Sequence, residues 1–398
     1  MNRRSVFREE MRSMLTLRLK PGRRPSRIMA GHCWAYRSEL VLPAGLRPGD
    51  VVDLHDARGA WIGRGYVNPH SEIAFRLLTR RSDEAIDAAF FRRAITAAWA
   101  LREQYGLAEE PCRVVFSEGD GLPGFIVDRY PPVLVVALGT AGAHGLREPF
   151  LAALRALFPT DAIVERSDTA RLAHEGVRSQ VGVLHGAPEL PVRCQCDGIA
   201  VAVDPLHGQK TGAFLDAREL RRHLRAHAAD TRVLDCFAHL GLFARYALAG
   251  GAAAVTCVET DAAAVAQLRA ELPAACVLAD DAFEVLRTLV RERAQFDRVI
   301  LDPPPFAKDA RAVAGALRGY KEINVRGMRL LAPGGLLYTS SCSYHVDRAV
   351  FMEMLRAAAA DAGGDYRIEA VFSAAPDHPV RLGVPETDYF KGVVLQRV

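Results

Sequence analysis

The C-terminal half of this sequence ends each of several short apolar runs in a residue able to do chemistry. RVLDCF carries Asp235, AVTCVE ends at Glu259, ACVLAD leads to Asp280 and Asp281, and FDRVILD ends at Asp302. A fifth run, GGLLYTS, delivers Ser340-Ser341-Cys342-Ser343. Carboxylates bind hydroxyl and amino groups, and a cysteine thiolate is a nucleophile. Apolar runs that alternate with helical segments predict a doubly wound, mostly parallel α/β sheet, in which ligands bind beyond the carboxyl ends of the strands. The loop after the first run, through Phe237, has the single Gly241 rather than GxGxxG, which disfavours a dinucleotide pyrophosphate and an NAD-dependent dehydrogenase. Glu259, 18 residues past Gly241, suits ribose hydroxyls, and Asp280, Asp281 and the ring of Phe283 suit an adenine. Acids at three successive strand ends predict a pocket for S-adenosylmethionine.

Asp302-Pro303-Pro304-Pro305-Phe306 reads as a stiff loop, because proline fixes the backbone and removes a donor. Such a loop can hold a carboxylate and carbonyls against a planar base. Amino-directed methyltransferases place an aromatic directly after two prolines; here Phe306 comes one residue later. Cys342 faces the same cleft as Asp302 and points to different chemistry. Cytosine C5 is not nucleophilic by itself. A thiolate adding to C6 makes an enamine whose C5 accepts a methyl group, and loss of the C5 proton then expels the thiolate. A carboxylate near N3 or N4 stabilises the activated ring, and Asp302 is placed for that.

The elements that must carry these residues read in three blocks. Residues 14–82 alternate short apolar stretches with Gly/Pro turns, the pattern of a small β barrel. Residues 83–190 begin with a helical stretch at 84–105 and continue as α+β. Residues 191–398 form the α/β block, whose last runs, YRIEAVF and FKGVVLQRV, predict an antiparallel edge pair. Residues 1–13 form a basic extension. Net charge is +4 over 398 residues, but residues 1–27 alone sum to +7, leaving −3 on the rest. Arg23, Arg24 and Arg27 in this end suit an anionic partner such as RNA, or else belong to a solvated terminus. The 46 Arg against five Lys are also compatible with genomic base composition alone. The eight cysteines form no CxxC pair, Cys194 and Cys196 are too close for a zinc knuckle, and no metal site is expected. No apolar run reaches membrane-span length and no signal-peptide core follows the N-terminus, so a soluble cytoplasmic protein away from the membrane is expected.

The blocks GQKTGAFLDAR, VLDCFAHLGLF, VETD, DDAF, LDPPPF, RGYKEIN and SSCS, followed by DHP and FKG, stand in one order over residues 204–392. In this the sequence resembles the bacterial 23S ribosomal RNA cytosine-C5 methyltransferases of the RlmI type. PGDVVDLHDARGAWIGRGYVNPHSEIAFRLLTR resembles that family's PUA barrel, and SEGDGLPGFIVDRY with ERSD its middle domain. The resemblance covers residues 14–398. It implies that Gln209, Lys210 and Phe214 border the cofactor, and that Asp235 and Gly241 cradle its amino-acid end. It places Glu259 on the ribose, Asp281 on the adenine, Cys342 as nucleophile and Asp302 in the target-base pocket, with Pro303, Pro304 and Phe306 beside the base. Weaker candidates follow substrate-side strand tips: His345, Asp377, His378, Glu386 and Lys391. His378 before Pro379 also reads as a structural loop residue, and His345 as a solvent-facing one. The chain departs from the pattern in two places. Pro305 stands where related enzymes carry a second cysteine, and the first loop has Gly241-Leu242 where relatives have two glycines. The implied partner is 23S ribosomal RNA, free or in an assembly intermediate, and the implied assembly is a homodimer. Methylation of another RNA base or of a protein, and a non-catalytic ribosome-assembly role, are the alternative readings.

Overall fold

The computed structural model describes residues 15–22, 26–169, 172–307 and 310–398. The chain divides into two compact units: residues 1–196, 202–213 and 376–387 in the first, and 197–201, 214–375 and 388–398 in the second. The segment 376–387 thus returns to the first unit, although it follows the α/β block in sequence. Among the described residues, no helix is long and apolar enough to cross a membrane.

The first unit begins with a six-stranded sheet of β1 (Thr16–Leu19), β2 (Trp34–Ala35), β3 (Leu40–Val41), β4 (Val51–His55), β5 (Trp61–Val67) and β6 (Phe75–Thr79), in the order β2-β6-β5-β4-β1-β3. It encloses its own core of Leu17, Leu54, Val67, Phe75 and neighbours. Pairing is antiparallel except between β1 and β4. The β5–β6 register shifts between Arg64 and Gly65. A Cβ on Gly65 would lie 2.0 Å from the Arg76 carbonyl oxygen, so only glycine permits this close approach.

A second sheet follows α1 (Ala88–Gln104): β7 (Cys112–Phe116), β8 (Phe125–Tyr130) and β9 (Val133–Leu138). It continues through α2 (Ala141–Gly145) and α3 (Arg147–Leu157) to β10 (Ala162–Ser167), then α4 (Leu172–Glu175) and β11 (Gln180–His185), in the order β11-β10-β9-β8-β7. Asp87 caps α1 by accepting from the Ala89 and Phe90 amides. Phe91, Phe125 and Phe150 pack ring on ring at the centre of its core. β12 (Val192–Cys196) and β13 (Ile199–Val203) form a separate two-stranded sheet.

One buried side chain ties this unit together. Arg102, on the inner face of α1, uses all five of its N–H donors. Two meet the Asp120 carboxylate at 2.7 Å each, and the others reach the carbonyls of Ala98, Arg113 and Asp377. Asp377 also accepts from the Arg113 amide at 2.8 Å and from the His378 ring at 2.8 Å.

The second unit contains α5 (Arg218–Ala226), β14 (Arg232–Cys236), α6 (Leu242–Ala249), β15 (Ala254–Glu259), α7 (Ala262–Glu271), β16 (Ala275–Ala279) and α8 (Ala282–Arg291). It goes on with β17 (Phe296–Leu301), α9 (Val313–Arg329), β18 (Leu331–Ser341), α10 (Arg348–Ala362), β19 (Tyr366–Phe372) and β20 (Lys391–Arg397). The sheet order is β16-β15-β14-β17-β18-β20-β19. β14 to β18 are parallel, as their alternation with helices predicts, and β20 lies antiparallel between β18 and β19. The two last runs form the expected antiparallel pair at this edge, with β19 outermost. Strand residues alternate between two cores. Val299 and Leu301 face α8, α9 and α10, whereas Ile300 faces α5, α6 and α7. Strand order reverses between β14 and β17, the place where such a sheet opens a crevice.

Arg102→Ala should destabilise the protein by about 3–5 kcal/mol, because it leaves the Asp120 carboxylate buried without its cation. Denaturant unfolding followed by fluorescence measures this. A change below about 1 kcal/mol would show that the network is not what holds the unit.

Candidate functional site

The reversal of strand order places the ends of β14 and β17 side by side. The loop leaving β14 is bent by three residues in the left-handed region: Phe237 (φ +65°), His239 (φ +49°) and Gly241 (φ +67°). Two of these are not glycine, and such backbone is kept where surroundings enforce it. The enforcement comes from the end of β15. Glu259 accepts from the His239 amide with Oε2 at 2.8 Å, and from the Thr260 and Asp261 amides with Oε1 at 2.7 and 2.9 Å. A Cβ on Gly241 would lie 2.6 Å from Leu268 and 2.9 Å from Leu272, so this glycine is demanded by packing against α7.

Asp235 is 1% exposed. Its Oδ2 accepts from the Ala244 amide at 3.1 Å, and among the described residues its Oδ1 has no hydrogen-bond partner. Burial, together with the nearby charges of Asp302 and Glu259, pushes its carboxyl up to about 8. Asp235, Glu259 and Asp302 therefore share one electrostatic neighbourhood. Asp280 and Asp281 lie exposed at the end of β16. Asp281 caps α8 by accepting from the Phe283 and Glu284 amides through Oδ1.

The parallel register of β17 on β18 sets Leu301 opposite Thr339. Asp302 and Ser340 follow, and the Ser340 hydroxyl donates to Asp302 Oδ1. Two residues on comes Cys342, which is partly exposed. The serines on either side of it are buried and pinned to α9. The Ser341 hydroxyl donates to the Tyr320 oxygen at 3.1 Å, and the Tyr320 and Ser343 hydroxyls lie 2.9 Å apart. Burial raises the Tyr320 phenol above its ordinary value, keeping it a neutral donor and acceptor. On the other side, Lys391 at the start of β20 is 2% exposed and donates to the carbonyls of Ser343 and Tyr389, both at 2.7 Å.

The remaining predicted residues are dispersed. Pro303 is buried and Pro304 exposed; Phe306 turns inward between Phe283 (5.9 Å) and Tyr320 (4.7 Å). Phe214 meets the His239 ring edge-on at 5.1 Å. His345 is exposed. Gln209 and Lys210 are exposed and belong to the first unit. His378 also belongs to the first unit. It is 2% exposed, bonded to Asp377 at 2.8 Å and packed on Phe116. Arg27 pairs with Glu386, so its charge is already balanced within the unit. Arg23 and Arg24 lie outside the described residues. Sequence reasoning assigned no role to Tyr320, Ser341 or Ser343. The signal was present in RGYKEIN and in the serines that alternate around Cys342.

Two family models match the chain: a PUA-like domain over residues 17–80 and an S-adenosylmethionine-dependent methyltransferase over residues 176–379. The chain is 38% identical to the ribosomal RNA large subunit methyltransferase I of Alteromonas mediterranea, over 95% of this chain and 98% of the relative. It is 39% identical to the protein of that name from Shewanella amazonensis, over 96% and 98%. Among solved structures, a candidate SAM-dependent methyltransferase from Streptococcus mutans superposes with a TM-score of 0.82 at 19% identity, covering 96% of this chain and 100% of that one. A crystal structure of a candidate methyltransferase complexed with SAH superposes with a TM-score of 0.81, also at 19% identity and over 96% and 100%. These two likenesses show the fold. The identities over nearly the whole length of both partners show more: the chain belongs to the ribosomal RNA large subunit methyltransferase I family, S-adenosylmethionine-dependent enzymes with a PUA-like N-terminal domain.

Proposed function

We propose that this chain methylates C5 of a cytosine in 23S ribosomal RNA, with Cys342 as covalent nucleophile and Asp302 steadying the activated ring. The names of its relatives support the ribosomal RNA substrate. The observation that carries the C5 chemistry is the bond from Ser340 to Asp302, which couples the carboxylate to the strand tip bearing the partly exposed thiol. A thiol held there by Ser341, Ser343 and Tyr320 is presented in a fixed place, as covalent catalysis needs.

In this reading the Cys342 sulfur forms a bond to C6, and the C5–C6 electron pair moves into the ring. Asp302 in its acid form donates its proton to N3, where the added electron density collects, and takes it back as the thiolate leaves. C5 then takes the methyl group and loses its proton to water, the C6–S bond breaks, and the thiolate returns. Pro305 occupies the position of a second cysteine, so no thiol there takes the C5 proton. Exposed Pro304 and His345 border the base side in this assignment, while Phe306 acts by packing the loop.

The residues at the end of β14 fit S-adenosylmethionine. A buried carboxylate oxygen without a partner is costly, and the cofactor's ammonium is a donor able to complete Asp235 Oδ1. Glu259 and the Asp280–Asp281 pair offer acceptors for ribose and adenine, with Phe237 and Phe283 as apolar walls. When bound, the cofactor supplies an electrophilic methyl group. The PUA-like domain supports RNA docking through backbone and shape. The family resemblance supports a homodimer, which light scattering of the purified chain checks.

Three outcomes test this reading. Cys342→Ala should lower 5-methylcytosine formation on unmodified 23S ribosomal RNA by ~10³-fold or more. It should leave cofactor affinity, measured by calorimetry, within about threefold; full activity in this variant would sink the covalent mechanism. Glu259→Ala should weaken cofactor binding by about tenfold or more, and unchanged affinity would remove Glu259 from the pocket. Asp235 gives a pH signature. Its carboxyl titrates at about 8 in the folded chain, against an ordinary value of 3.8. The folded state therefore holds a proton that the unfolded chain releases, and stability falls as pH rises from about 4 to about 8. Asp235→Asn should raise the melting temperature of the ligand-free protein at pH 8 more than at pH 4.5, while weakening cofactor binding. A melting temperature lowered equally at both pH values would contradict this.

A further inference from the structure

Lys391 is a buried amine at the rear of the thiol site. β20 runs antiparallel to β18 with Lys391 opposite Ser341, so its stem leaves the sheet next to the Cys342 loop. Its Nζ donates to the Ser343 carbonyl, one residue beyond the thiol, and to the Tyr389 carbonyl on its own segment. Two of its three N–H donors are thus satisfied by neutral acceptors. Two carbonyls do not neutralise a buried ammonium, which needs an anion nearby.

Four charged or ionisable groups act on the amine from the elements around it. Cys342 is the strongest of them and favours the ammonium; Asp388 and Asp347 also favour it, and Arg348 opposes it. Burial outweighs them and brings the amine down to about 8. Asp388 and Arg348 already face each other at 3.5 Å, and Arg348 and Asp388 are part-exposed. On the α9 side, Tyr320 feels the Cys342 charge too, but as a neutral phenol it offers hydrogen bonds and no countercharge. Asp347 is exposed and is engaged in capping α10 at the Val350 amide, which leaves the Cys342 thiolate, one residue from the carbonyl that Nζ holds, as the strongest anionic neighbour of Lys391. Coupling of this kind is reciprocal: a thiolate that stabilises the ammonium is stabilised by it to the same degree.

We propose that Lys391 is a positioning residue for the covalent step, whose ammonium holds Cys342 in the thiolate form. The inference rests on the assignment of Cys342 as nucleophile and supplies that assignment's missing activator. In the activation step the S–H bond breaks, its proton passes to solvent, and the electron pair stays on sulfur. Below its own titration at about 8, Lys391 keeps all three of its protons and takes none from the thiol. Its two carbonyl bonds also fix the loop at Ser343, so charge and position reach the thiol through one side chain.

The test measures the thiol itself, in the full chain without RNA or cofactor. Alkylation of Cys342 by iodoacetamide is followed against pH, with the modified peptide resolved by mass spectrometry from the other seven cysteines. Lys391→Met and Lys391→Gln should move the Cys342 midpoint upward by about one pH unit or more. Lys391→Arg, which retains the charge, should keep it within about 0.3 unit of wild type. Lys391→Gln keeps amide donors for the Ser343 and Tyr389 carbonyls, so it decides the matter even if the methionine variant does not fold. A midpoint unchanged in Lys391→Gln, or shifted equally by Lys391→Arg, would overturn the proposal. Because this readout needs no turnover, it separates failure of the activator from failure of the covalent mechanism, which Cys342→Ala reports.

Discussion

The parallel register of β17 against β18 is the constraint on which the site depends. It sets Leu301 opposite Thr339, so that the next residues, Asp302 and Ser340, meet as the strands end. A slip of β17 by one residue would turn its side chains over, because side chains alternate between the sheet faces. Val299 and Leu301 would then leave the core they share with α9 and α10, and Ile300 would leave the core on the opposite face. The apolar packing of two helical layers therefore fixes the relative height of one carboxylate and one thiol. β20 adds to the same register from the other side, bringing Lys391 opposite Ser341.

Around this register the polar groups are arranged by burial. Asp235 has one oxygen held by the Ala244 amide and one unmet, within reach of the charges of Asp302 and Glu259. Glu259 accepts from the His239 amide of the loop that follows β14 with one oxygen and from the Thr260 and Asp261 amides of its own turn with the other, and so ties the two loops together. Tyr320 clasps both serines beside Cys342. In each case a buried polar group has a defined partner, and the group facing the cleft is the one left with capacity to spare.

Much of this was legible in the sequence. Apolar runs alternating with helical segments announced the parallel sheet, and acids at their ends marked the crevice side. The alternation of Val299, Ile300 and Leu301 needs only the two-residue period of a strand. Other surroundings were not legible, for a common reason. DHP looked like a substrate-side motif because it follows β19 and precedes β20. In space, the segment 376–387 belongs to the first unit, where Asp377 accepts from the Arg113 amide and its carbonyl accepts from Arg102. At Gly241 the packing of Leu268 and Leu272 excludes a side chain, which the sequence does not record. Lys391, one of the weaker candidates, is 2% exposed. None of these partners is a neighbour in sequence.

By itself, then, the sequence determined which residue types would stand at the ends of which strands, because hydrophobic period and turn residues are local properties of a chain. It also determined the family, through seven blocks in a fixed order over residues 204–392. Only the tertiary structure decided which of those residues share an environment. Burial, the pairing of Lys391 with the Cys342 loop and the packing of His378 on Phe116 all follow from contacts between distant segments. Desolvation and charge coupling act through space, over a few ångströms, and the order of residues along the chain does not record those distances.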